Sequence, residues 1–136
     1  MGIRDKNGYV HCKYLDQLGI PLTKQNTNFC DKKDKRWKDW KKQQKEYGFD
    51  ERETWNLDYM FVEWIYTRFR MFKEIGGETV DLTYHKFKYK DIEITQKEAI
   101  DYILIACDQY LTDDDVHNLP PEIYKLLEEI MPCMWW

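Results

Sequence analysis

Between Asp50 and Gly77 the apolar positions crowd together: Trp55, Leu57, Tyr59, Met60, Phe61, Val62, Trp64, Ile65, Tyr66, Phe69, Met71 and Phe72. The stretch opens on Asp50-Glu51-Arg52-Glu53, a capping box in which each acid satisfies a backbone N–H of the first turn. It closes on Gly76-Gly77, where glycine takes a left-handed backbone without a Cβ clash. These signals predict a central helix over residues 50–76. Only Asn56, Glu63, Thr67, Arg70 and Glu74 recur as a polar stripe at helical spacing. A helix so apolar around its circumference is expected to be wrapped by neighbours on most sides. It carries too many charges to be a membrane span.

The remaining elements follow from their own periodicities. Asp31 or Asp34 is placed to cap a helix over about 32–47 that Gly48 ends. Trp37, Trp40, Gln44 and Tyr47 fall on one side of it and lysines cover the rest. Alternation through Val80, Leu82 and Tyr84, then Phe87, Tyr89, Ile92 and Ile94, predicts an antiparallel hairpin with its tight turn at Lys90-Asp91 and residues 80–84 as a third strand. Thr95-Gln96-Lys97-Glu98 is a second capping box, opening an amphipathic helix over about 95–112. Pro120-Pro121 starts a last helix that Pro132 stops. The expected fold is mainly α (α+β): one compact helical domain around the central helix 50–76, with a small antiparallel β-hairpin near 80–94. Residues 1–30 read as an irregular N-terminal arm, with an Asn7-Gly8 turn and an apolar loop at Leu18–Leu22. Residues 31–48 read as a basic helix, 50–131 as the helical core with its hairpin, and 132–136 as an apolar tail.

Composition changes the picture in two respects. Aromatic residues make up 16% of the 136, which favours a packed core despite 34% charged residues. The net charge of −4 is unevenly divided: residues 1–48 hold 12 Lys/Arg against 6 Asp/Glu, whereas 49–136 hold 9 against 19. Such a split offers one surface to an acidic partner and another to a basic one. The first ten residues contain no apolar signal region and no acylation signal, so a cytoplasmic setting is expected. Cys12, Cys30, Cys107 and Cys133 then read as reduced thiols. His11-Cys12 with Cys30 lacks the paired spacing of a zinc site. No cofactor or metal is expected.

Candidate binding residues fall into four groups. Lys35, Arg36, Lys38, Lys41, Lys42 and Lys45, interleaved with Trp37 and Trp40, could grip a phosphate backbone while the rings stack on bases. The alternative is that the Trp side docks on the body and the lysines are simply solvated. Asp58 and Arg68 interrupt the apolar field of the central helix; each either pairs across a packing edge or lines a polar pocket. Lys86 and Lys88 form one face of the hairpin and read first as edge-guarding charges. Trp135 and Trp136 end an unusually apolar tail that either folds back or buries against a second copy, making a homo-oligomer. Asp113-Asp114-Asp115 with His117 lacks the spacing of a calcium loop. No nucleotide-binding or hydrolase motif occurs. For an enzyme, Asp58, Arg68 and His85 would have to converge in one cleft.

Glu53-Thr-Trp-Asn-Leu-Asp-Tyr59, Trp64-Ile-Tyr-Thr-Arg-Phe-Arg-Met-Phe72, Val80-Asp-Leu-Thr-Tyr-His-Lys-Phe87 and the Thr95–Glu98 box together resemble small bacteriophage-encoded proteins. The resemblance spans roughly residues 50–105. It implies a phage accessory protein in the bacterial cytoplasm that acts by binding: a host defence complex such as a CRISPR effector, a host polymerase, or a signalling nucleotide. The leading expectation is therefore a non-enzymatic protein that binds and inhibits a host protein or nucleoprotein complex. The alternatives are a nucleic-acid or nucleotide-binding protein that uses the basic helix, or a virion assembly component.

Overall fold

The computed structural model describes residues 33–136. The N-terminal arm lies outside the described residues, and with it the Asn7-Gly8 turn, the Leu18–Leu22 loop, His11, Cys12, Cys30 and Asp31. The observed order is α1 (Trp37–Tyr47), a 3-10 turn (Glu51–Thr54), α2 (Leu57–Glu74), a second 3-10 turn (Gly76–Glu78), β1 (Lys86–Tyr89), β2 (Ile92–Thr95), α3 (Gln96–Thr112), α4 (Pro121–Ile130) and a last 3-10 turn (Met131–Cys133). The mainly α architecture with one small two-stranded antiparallel sheet is as the sequence predicts.

The core sits between α2, α3 and α4. Val62, Ile65, Phe69 and Phe72 of α2 meet Ala99, Ile100, Ile103, Ala106 and Cys107 of α3, and Ile123, Leu126, Leu127 and Ile130 close it from α4. The hairpin lies over one end. Phe87 and Tyr89 turn inward, Lys86 and Lys88 outward, and Tyr89 stacks on Tyr102 of α3 with ring centroids 4.4 Å apart. Tyr89 pairs with Ile92, which leaves Lys90-Asp91 as a two-residue turn. Both turn residues have positive φ, 49° and 65°. That is the I′ geometry whose twist matches the flanking strands.

Helix ends explain much of the order. Thr95 Oγ1 accepts from the Glu98 N–H at 3.1 Å while the Glu98 carboxylate accepts from the Thr95 N–H at 3.0 Å. The next two donors of that helix go to the preceding loop: Gln96 N–H to the His85 carbonyl and Lys97 N–H to the Leu82 carbonyl. Leu82 and His85 therefore serve as a backbone cap, residues 80–84 are irregular, and the expected third strand does not form. Pro121 occupies the first turn of α4, where its missing N–H costs nothing.

The central helix departs from expectation in three ways. It does not run from residue 50. The Asp50/Glu53 box is present but caps a 3-10 turn, and α2 begins only after Trp55-Asn56. Its end is not a left-handed glycine either, since Gly48 is the one glycine with positive φ among the described residues. Gly76 is needed for space: a Cβ there would lie 2.7 Å from Cδ1 of Trp136. Finally, α2 is not wrapped on most sides, and burial does not follow the polar stripe. Thr67 is buried, with its hydroxyl donating to the Glu63 carbonyl, whereas Leu57, Phe61 and Trp64 are exposed. A hydroxyl that bonds its own helix backbone is cheap to bury.

Candidate functional site

Two surfaces and one cleft gather the residues singled out by sequence. The first surface is built on α1. Trp40, its inward anchor, is fully enclosed. Its indole N–H donates to Glu51 at 2.7 Å, its ring meets Trp55 edge-on at 5.9 Å, and the guanidinium groups of Arg36 and Arg52 lie 4.7 and 4.4 Å from its centroid. An indole between two cations, with its one polar atom satisfied, is held by electrostatics as well as by burial.

Beneath that ring is a buried ion pair that the sequence did not disclose. Arg52 Nε and Nη2 donate to the two Asp50 oxygens at 3.0 and 2.9 Å, and Gln44 of α1 donates to the same carboxylate. Both residues of the pair are buried. Burial alone would push the Asp50 carboxyl up; the Arg52 and Gln44 hydrogen bonds outweigh it and hold the group below its usual range. Glu51 adds a bond from its N–H to Gln43 at 2.7 Å. Thus the capping turn at 50–53 is also the cradle in which α1 is seated.

The opposite side of α1 is bare. Lys35, Lys38, Lys41, Lys42 and Lys45 are all exposed, with one loose pair from Lys42 to Glu46 at 3.9 Å. Arg36 is engaged with Asp34 at 3.1 Å. Two expected site residues need correction here. Trp40 cannot stack on a base, because it is enclosed. Trp37 is half-buried, with the Arg52 guanidinium 5.6 Å from its ring. The expectation of interleaved stacking rings fails because one side of a three-turn helix cannot both anchor and reach outward.

The second surface is the outer face of α2. Gly48, Phe49, Glu53, Thr54, Leu57, Met60, Phe61, Trp64 and Arg68 line a groove of about 400 Å³. Arg68 lies 4.7 Å over the Trp64 ring and donates to Thr67 Oγ1 at 3.1 Å. Partial burial lowers its pKa, against the fields of Glu53 and Glu63, which raise it. Asp58 is elsewhere, at the packing edge with α3. Tyr110 donates to it at 2.6 Å, and this bond is the main cause that lowers the Asp58 pKa. Tyr110 itself is pushed up to about 12 by burial and by that acceptor.

The cleft, of about 430 Å³, is lined by Val80, Asp81, Tyr84, His85, Gln96, Cys133 and Trp135. Buried Gln96 donates to the Cys133 carbonyl at 3.1 Å, tying the apolar tail to the start of α3. With Trp136 packed on Gly76, the tail folds back on its own chain, leaving Trp135 mostly exposed. Asp58, Arg68 and His85 therefore occupy three different places and form no common cleft. Among the described residues no group of His, Cys, Asp and Glu is placed to hold a metal ion, and no helix is long and apolar enough to cross a membrane. The Cys107 thiol is buried in the core and pushed up to about 12, far from nucleophilic character. Comparison with protein-family models, curated proteins and solved structures finds no match to this chain.

Proposed function

We propose that this protein acts by binding, and that α1 is its recognition element for an acidic surface. The observation that supports this reading is the division of labour on that helix: Trp40 and Gln44 lock it to the 50–53 turn, while its four lysines, and Lys35 just before it, face water. Seating the helix in advance removes ordering cost from association, and a cluster of like charge on one face steers an acidic partner. The resemblance to bacteriophage-encoded proteins supports reading the partner as a complex of the bacterial host and the outcome as its inhibition.

A nucleic-acid partner is the weaker reading, because Trp40 is enclosed and Trp37 is half-buried beside Arg52. Affinity purification from bacterial lysate tests both, with and without nuclease. The wild-type chain is expected to retain a stoichiometric host protein under nuclease. A variant with Lys38, Lys41, Lys42 and Lys45 changed to Glu is expected to lose it. Retention that disappears with nuclease would establish the nucleic-acid reading, and equal capture by both proteins would exclude α1 as the contact.

A further inference from the structure

The outer face of α2 presents an apolar seam independent of α1. Leu57, Met60, Phe61 and Trp64 stand at i, i+3, i+4 and i+7. Leu57, Phe61 and Trp64 keep 65%, 45% and 47% of their surface exposed, and Phe49 beside them keeps 49%. All of these line one groove. Side chains at such spacing form the stripe by which one helix packs on another.

We propose that this seam pairs with the same seam of a second copy, the two α2 helices running antiparallel about a two-fold axis between Met60 and Phe61. The intervals are the same read forward from Leu57 or backward from Trp64. In that arrangement Leu57 meets Trp64 of the partner subunit, and Met60 meets Phe61 of the partner subunit, each contact occurring twice. The smallest side chain of the seam is thereby set against the largest, the condition for filling an interface without voids. None of the four is charged, so like charges do not meet at the axis. Antiparallel helix dipoles also favour the arrangement.

The area is of the right order. Half-exposed side chains of this size offer roughly 100 Å² each, so the seam with Phe49 supplies about half of the ~800 Å² that each partner buries in an ordinary stable interface. Glu53, Thr54 and Arg68, which line the same groove, supply a polar rim.

Sedimentation equilibrium of the purified chain tests this, with folding of each variant checked by circular dichroism. The wild type is expected to be a dimer that dissociates on dilution. Leu57→Trp sets two large rings against each other and Trp64→Leu leaves a void; each is expected to weaken the dimer about tenfold or more. The double variant, which exchanges the two side chains, restores the small-to-large match and is expected to recover most of the loss. If Leu57→Trp does not fold, Phe61→Lys serves instead: it brings two cations to the axis and is expected to give a monomer. A wild type that stays monomeric at high concentration overturns the proposal and leaves the groove to a different partner. So does a dimer that the single changes do not weaken, or one that the exchange fails to restore.

Discussion

At the scale of single residues, the buried charges define where the molecule is vulnerable. Asp50 and Arg52 satisfy each other and seat α1, so removing one leaves the other enclosed and unmatched. Asp50→Asn is expected to cost about 3 kcal/mol in urea-induced unfolding, a typical penalty for breaking a buried pair. Because the Asp50 pKa is lowered in the folded chain, its contribution is complete above the ordinary carboxylate pKa. It disappears as pH falls through the lowered value. The Asp58–Tyr110 bond has the same sign at an exposed site. In Tyr110→Phe the Asp58 pKa is expected to rise towards that of a free carboxyl, followed by NMR titration. Of these four residues, sequence reasoning singled out Asp58 as a misfit, took Asp50 for a helix cap only, and gave Arg52 and Tyr110 no polar role. An acid in an apolar stripe is visible as a misfit, whereas acids at a helix start look like ordinary caps. Nothing local announces that such a cap also receives Arg52 and Gln44.

At the scale of elements, three boundaries fixed by local chemistry were legible, while both ends of α2 were not. The Thr95–Glu98 box, the Pro121 start and the Lys90-Asp91 turn all lie where local chemistry placed them, because each depends on residues within one turn of chain. The left-handed conformation of Lys90 and Asp91 is unfavourable for residues with a Cβ. Asp91→Gly is therefore expected to stabilise the hairpin by about 0.5–1 kcal/mol, read as a raised melting temperature. The exposed apolar face of α2 was not anticipated, for the opposite reason. Which side of an all-round apolar helix meets water depends on where α3 and α4 arrive, and periodicity within α2 does not contain that. The role of Gly76 was likewise beyond local reading, since it is fixed by Trp136, sixty residues away in the chain. Gly76→Ala must displace that ring, with an expected loss of about 1–3 kcal/mol, the usual cost of overpacking, and a change in tryptophan fluorescence.

At the scale of the whole molecule, the charge division in the sequence acquires a geometry. Residues 49–136 carry the acidic excess. Against that body stands one helix whose exposed side is basic and whose buried side is aromatic. If contact is made through α1, affinity for the partner falls steeply with added salt, because exposed charges are screened within about 10 Å at 0.1 M ionic strength. A pairing of copies through α2 would place two such helices in one particle and add avidity without a new contact. Both expectations require α1 to be fixed to the body through Trp40 rather than attached loosely by Gly48. Hydrogen–deuterium exchange across Trp40–Tyr47 measures this most directly. These amides are expected to be protected in the wild type and to exchange freely in Trp40→Ala while α2 and α3 keep their protection. Free exchange of α1 in the wild type, or protection untouched by Trp40→Ala, would contradict a helix pinned by that ring.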